Sequence, residues 1–305
     1  MDQKGLTATI VFQASSANYG ESIGNVSALK KMTRADGKQY AYISRQALRY
    51  NIVDQLGSGE QFAKLGIDNK DKSVIQFAKD ATIEKAPEID FFGYMKTASG
   101  KNATTRGAVV RLSNAFSQTP YDGDTDFLTN LGLVNRMRKE TGDNTIMPNI
   151  AQAEVQNDFY VYTVTIDLDQ IGIDENDEIK LSNAEKAKRV GKLLTTLQYL
   201  YRDIRGRRED LKPLFIIGGI YDIKSPVFEN IVRVNNAKLD LKAIQSTLND
   251  HVISENTQIG LVDGIFQNDA EIKHKLNDRL EPVSDFMNDL KKKTQDYYLN
   301  SEDDD

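Results

Sequence analysis

Two segments of this chain alternate so strictly that a strand is the only backbone that serves them. In LTATIVFQ (6–13), Leu6, Ala8, Ile10 and Phe12 fall on one side, and Thr7, Thr9, Val11 and Gln13 on the other. In DFYVYTVTIDL (158–168), Tyr160, Tyr162, Val164 and Ile166 share a side. A period of two places successive side chains on opposite faces of a sheet. Helical spacing appears elsewhere. SRQALRYNIVDQL predicts a helix over 43–56, stopped by Gly57 and Gly59. From Ala184 to Ile204, the apolar residues Ala187, Val190, Leu194, Leu197, Tyr201 and Ile204 follow steps of three and four, behind a Ser182/Glu185 capping box.

The remaining segments fill in the order. The polar run ASSANYGESIGN (14–25) reads as a loop, and 57–88 as a small inserted helical lobe. DFFGYMKT (90–97) and TTRGAVVRLS (104–113) read as strands joined near Gly100. Residues 117–157, punctuated by Pro120, Gly123, Gly142 and Pro148, form a long excursion of the kind that carries function. LFIIGGIY (214–221) reads as a buried strand, and 241–253 and 282–298 as helical. The sum is strand, helix, strand, strand, a further strand, helix, strand. Two helices on one antiparallel sheet give an α+β chain with ferredoxin-like, RRM-type order, a common platform for single-stranded nucleic acid.

Composition narrows the chemistry. The 305 residues hold no cysteine and only two histidines, His251 and His274, which leaves little for thiolate, zinc or acid–base work. No metal or cofactor is expected. Asp167, Asp169, Gly172 and Glu178 imitate part of a calcium loop, but Ile171 holds a ligand position and a strand precedes it, so a plain acidic loop is the reading. No apolar run approaches a membrane span and no leader peptide is evident, so a cytoplasmic protein without membrane contact is expected.

Charge distribution says more than net charge, which is −6. Residues 22–53 carry six basic side chains and one acid, and Phe91–Tyr121 holds Lys96, Lys101, Arg106 and Arg111 with no acid at all. Lys30, Lys31, Arg34 and Lys38 share one loop, while Arg45 and Arg49 lie one helical turn apart. Such a set, with helix N-terminal amides near Ser44, suits a sugar–phosphate backbone held without base reading. If Arg106 and Arg111 share one strand, their spacing puts them on opposite faces. Asp36, in RADGKQ, could polarise an RNA 2′-hydroxyl, but Asp-Gly is also a standard turn pair, and the turn is preferred. A second basic set, Lys186 to Arg208, follows an acidic stretch from Asp167 to Glu185, and such blocks could pair between copies.

GLTATIVFQASSANYGESIGNVSALKKM, followed by YAYISRQALRYNIVDQLG, resembles the N-terminal region of the DevR-type backbone subunit of type I-B CRISPR Cascade, the "Cas-seven" family. TRGAVVRLSNAFS, NDFYVYTVTIDLDQIG and LFIIGGIYDIKSP resemble its later segments. The resemblance implies an RRM-like palm, a helical lobe at 57–88 and a thumb at 117–157. It implies a protein that polymerises head to tail along CRISPR RNA, among other Cascade subunits, and presents the guide for pairing with a target DNA strand. Asn18, Ser22, Lys30 and Lys31 would then lie in the first palm loop. Ser44, Arg45 and Arg49 would hold phosphates, joined by Arg34, Lys101, Arg106 and Arg111. Leu133 or Met137 would wedge between guide bases. No nuclease activity is expected. The alternatives are a loop-aspartate ribonuclease acting through Asp36 and an autoregulator that binds duplex DNA.

Overall fold

The computed structural model describes residues 3–57, 59, 61–67, 75–98 and 101–300, with the side chains at 21, 23, 98, 101 and 102 outside that description. Its centre is a nine-stranded sheet. The first strand, Gly5–Ala14, lies between Asp158–Asp167 and Phe215–Tyr221, antiparallel to both. Beyond Asp158–Asp167 come Val110–Leu112 and Ala115–Ser117, then Gln39–Ile43 and Lys31–Thr33. On the other flank, Gln258–Leu261 and Leu280–Pro282 complete the sheet. The two segments that alternate in sequence are thus direct neighbours, with Leu6 opposite Ile166 and Phe12 opposite Tyr160.

One face is covered by three helices. Leu6, Ala8, Ile10 and Phe12 pack with Leu48 and Ile52 of helix Arg45–Asp54, Leu193 and Leu197 of Asn183–Gln198, and Phe286 and Leu290 of Val283–Leu299. Each such side chain, fully buried, contributes about 1.5–3 kcal/mol relative to exposure. Gly218 and Gly219 let the backbones close up: a Cβ at Gly218 would lie 2.0 Å from the Thr7 carbonyl oxygen, and one at Gly219 1.9 Å from that of Asn256.

The opposite face is covered too, which corrects the expectation of an open platform. Val11, Val161, Phe215 and Ile217 pack under Phe228, Val232, Leu241 and Phe266. Phe159 stacks on Phe266 at 5.4 Å, so an aromatic ring that could meet a base on a bare sheet is already occupied. Even the threonines on this side are enclosed: the Thr9 and Thr163 hydroxyls share a hydrogen bond of 2.7 Å, and Thr7 Oγ1 donates to the Ser225 carbonyl at 3.0 Å.

Several local expectations change. DFFGYMKT begins in a helix, Pro87–Phe92, and continues into Tyr94–Ala98, which pairs with Lys101–Arg106 away from the central sheet. The turn expected at Gly100 lies outside the described residues. Among the described residues of 57–88, the regular structure is the strand pair Leu65–Ile67 and Ile75–Phe77, with helix beginning only at Pro87, because no apolar stripe runs through this segment. The long helix ends at Gln198. Tyr201 and Ile204 belong to a hairpin, Tyr201–Ile204 with Arg207–Asp210, since Arg205 and Gly206 both take positive φ and turn the chain back. Ser182 caps that helix, but the Glu185 carboxylate is drawn to Lys188 and Arg189 instead of back to the cap.

The excursion 117–157 is ordered. It contributes Thr125–Thr129, helix Leu131–Thr141 and Ile150–Glu154. Its strands join Tyr19–Ile23 and Val26–Leu29 in a second, four-stranded sheet. The 14–25 run is therefore part strand: Tyr19–Ile23 pairs with Val26–Leu29, which in turn pairs with Ile150–Glu154.

Candidate nucleic-acid interface

The N-terminus of helix Arg45–Asp54 is fixed by the chain that leaves the first strand. The Ser44 hydroxyl donates to Asn18 Oδ1 at 2.7 Å, and the Ser44 amide donates to the same oxygen at 3.2 Å. Ser44 Oγ accepts from the Ala47 amide at 3.3 Å, as an N-cap does. The Arg45 amide donates to Asn114 Oδ1 at 2.9 Å. Asn18 and Ser44 thus hold the helix start in place, and the amides of Arg45 and Ala47 are already used. What the helix start offers a ligand is the exposed Arg45 side chain.

Arg45 stands between two adjoining clefts. The first, about 400 Å³, is lined by Arg34, Arg45 and Arg233, with Ser113, Asn114 and Glu229 among its other walls. The second, about 390 Å³, is lined by Arg45, Arg49 and Arg111, with Phe92 and Gln46. Arg45 and Leu112 belong to both. Arg34 lies 4.9 Å from the Tyr40 ring and 5.6 Å from that of Phe116, which steadies the guanidinium without neutralising it. Among the described residues, Arg34, Arg45 and Arg233 form no ion pair with a carboxylate. Arg49 pairs with Glu88 at 2.9 Å and lies 4.9 Å from the Phe92 ring, while Arg111 pairs with Asp167 at 2.8 Å and stays half exposed. The arrangement offers five guanidinium groups on two adjoining clefts that share Arg45, two of the groups already paired with carboxylates, a match for phosphates in series.

Other expected residues do not converge there. Arg106 is buried: it reaches Asp90 at 3.1 Å and the carbonyls of Ile89, Ile173 and Gln170, and so serves the core. It lies in a different strand from Arg111, with Gly107 between, so the shared-strand argument does not apply. Lys31 is bound to Glu154 at 2.7 Å and sits 4.1 Å from the Tyr121 ring, tying the central sheet to the second one. Burial and the Glu154 carboxylate push the Tyr121 hydroxyl up to about 12. Lys30 gives its amide to the Asn18 carbonyl at 2.6 Å and is half-buried. Ser22 is exposed on the second sheet. The Lys101 side chain lies outside the described residues. The second basic set is divided: Lys186, Arg189 and Arg202 are buried, Arg189 on Asp90 at 2.9 Å, while Lys188, Lys192, Arg205, Arg207 and Arg208 are exposed, the last three on the hairpin that follows the helix. Part of the acidic stretch is paired within the chain, Asp169 with Lys224 at 2.5 Å and Asp177 with Lys96 at 3.4 Å, while Glu175 and Glu178 are exposed.

Sequence reading missed Arg233. It sits in IVRVN, where nothing marks it, and reaches the cleft only because 222–279 folds over the sheet. Asp36 forms the expected turn. It accepts from the Tyr40 hydroxyl at 2.6 Å and the Lys38 amide at 3.0 Å, and these bonds hold its carboxyl below the usual range. Leu133 and Met137 are exposed on helix Leu131–Thr141, near Phe127, Leu128 and Ile150, which are also exposed.

A family model described as CRISPR-associated negative auto-regulator DevR/Csa2 matches residues 6–242. The chain belongs to this family. Its fold is similar to that of a chain in a solved structure described as a CRISPR RNA-guided surveillance complex, pre-nicking, with a TM-score of 0.62 and 12% identity over 95% of this chain and 100% of that one. A second CRISPR RNA-guided surveillance complex contains a chain similar at a TM-score of 0.57 and 15% identity, over 97% of this chain and 100% of the other. At such identities the likeness is one of fold. No curated protein matches the sequence. Among the described residues of this DevR/Csa2-family chain, no helix is long and apolar enough to cross a membrane.

Proposed function

We propose that this chain is a non-catalytic backbone subunit of a Cascade-type surveillance complex, binding CRISPR RNA by its phosphates and presenting it to a target DNA strand. The observation that carries this reading is the convergence of Arg34, Arg45, Arg49, Arg111 and Arg233 on two adjoining clefts. Guide pairing supplies sequence recognition in such complexes, so the protein needs phosphate and shape contacts only. The strand order Phe215–Tyr221, Gly5–Ala14, Asp158–Asp167, Val110–Ser117, with helices Arg45–Asp54 and Asn183–Gln198 as crossovers, supports an RRM-like palm. The exposed apolar side chains of 125–150 support a thumb that enters the guide and meets the next copy, head to tail. Other Cascade subunits would cap the ends. The Asp36 carboxylate, engaged by two donors and lowered in pKa, is a poor general base, which disfavours a ribonuclease.

The test is binding of single-stranded RNA by the nuclease-treated protein. Arg45→Ala with Arg49→Ala should weaken binding by tenfold or more, about equally for unrelated sequences, whereas Asp36→Ala should leave complementary RNA intact and uncut with magnesium, as the unaltered protein does. Loss restricted to particular sequences, or cleavage that depends on Asp36, contradicts the proposal. Stronger binding of duplex DNA than of single-stranded RNA at one salt concentration would favour the autoregulator instead.

A further inference from the structure

The hairpin Tyr201–Ile204 and Arg207–Asp210 contributes no residue to either arginine-lined cleft. Its inner face clamps the chain that leaves the first strand. Arg202 pairs with Glu209 at 2.6 Å, both buried, and donates to the Ala17 carbonyl at 2.9 Å. The second Glu209 oxygen accepts from the amides of Ser15 and Ser16 at 2.7 and 3.0 Å. Arg207 adds a hydrogen bond to the Ser16 hydroxyl. The outer face is closed as well, since Arg208 is held in a bidentate pair by Asp203 at 2.8 and 2.9 Å.

The tip is different. Arg205, in the left-handed region at φ 50°, is exposed and lies with its guanidinium 4.1 Å from the Tyr19 ring centroid. Among the described residues it has no carboxylate partner. Tyr19 is itself anchored, donating its hydroxyl to the Glu154 carbonyl at 3.1 Å. The tip thus sets an exposed guanidinium against an anchored aromatic ring. Lys30 follows Leu29, the cross-strand partner of Tyr19, and its Cγ lies 3.6 Å from where a Gly20 Cβ would be. The turn presents Arg205, Gly206, Arg207 and Arg208 and no apolar side chain, a composition unlike the core of a protein–protein contact.

We propose that Arg205 is a stacking plane for an unpaired base of single-stranded RNA, with Lys30 meeting a neighbouring phosphate. Guanidinium planes and aromatic rings are the surfaces on which splayed RNA bases stack. This rests on the reading of the chain as an RNA binder and adds a second contact point, on a separate element from the clefts.

The experiment uses the full-length, nuclease-treated protein and a single-stranded RNA carrying 4-thiouridine. Arg205→Asn removes the plane with a residue that accepts positive φ, so the turn is kept. It should lower RNA affinity roughly fivefold or more, the low end of base stacking on such groups, and abolish photo-crosslinks to peptide 201–210. Arg205→Lys should restore only part of the affinity, because an ammonium has charge but no plane. Wild-type affinity for Arg205→Asn, or full recovery by Arg205→Lys, would overturn the proposal. So would unchanged RNA affinity accompanied by smaller assemblies, which would make the tip a protein contact. Arg45→Ala with Arg49→Ala is run alongside: if it weakens binding while Arg205→Asn does not, only the stacking role fails, and if neither does, the RNA-binding reading fails with it.

Discussion

Arg106 and Arg111 are five positions apart and do opposite things. Arg106 is almost fully enclosed on Asp90, which also accepts from Arg189, so three charges share one dry site. Burial raises the Asp90 pKa; the Gly172 amide and the Arg189 and Arg106 guanidinium groups work against it without cancelling it. Removing one member of such a group strands a charge and typically costs about 3–5 kcal/mol. Arg111 is half exposed, although its partner Asp167 is buried, so this pair is in part screened by water and costs less to lose than the enclosed Asp90 group. Urea unfolding should therefore show Arg106→Ala more strongly destabilised than Arg111→Ala, with Arg111→Ala weaker in RNA binding. Equal stability losses would contradict this division. The two residues look alike in the sequence because charge type says nothing about which strand turns inward.

At the scale of elements, helix Arg45–Asp54 depends on a cap that comes from two places. Ser44 supplies the local oxygen, and Asn18, 26 residues earlier, supplies the acceptor that orients it. Ser44→Ala should cost about 1 kcal/mol by thermal or urea unfolding, the usual worth of an N-cap. It should also weaken RNA binding more than that loss of stability explains, because Arg45 is aimed by this helix start. A variant that loses stability with unaltered binding would show that Arg45 reaches the cleft without the cap. The cap serine, the helix itself and the alternating strands were legible in sequence, since each is a pattern within one short segment. The hairpin at 201–210 was not: helical spacing continues past Gln198, where the helix ends, and the turn through Arg205 and Gly206 at positive φ pairs the two strands that follow. Nor was the edge strand at 19–23, whose one partner, Val26–Leu29, is held in the sheet by the distant excursion.

Across the whole molecule, an acidic chain gathers five guanidinium groups on two adjoining clefts, Arg49 and Arg111 among them paired with carboxylates. Binding there should carry a measurable salt dependence. For a single strand, each phosphate contact contributes about 0.7 to the slope of log affinity against log salt. Arg45→Ala with Arg49→Ala should lower that slope by about 1.4, measured between roughly 50 and 200 mM salt. An unaltered slope would mean that these arginines do not meet phosphates. The sequence by itself determined the central strands, the two crossover helices and the clustering of basic residues along the chain, because periodicity and charge are written locally. Only the tertiary structure decided which cations face outward. Closing 222–279 over the sheet removed the open platform and delivered Arg233. Burying Asp90 claimed Arg106, and pairing with Glu154 claimed Lys31. A charged side chain costs too much to bury alone, so each one's fate depends on whether folding brings a partner from elsewhere in the chain, and that is not recorded in its own neighbourhood.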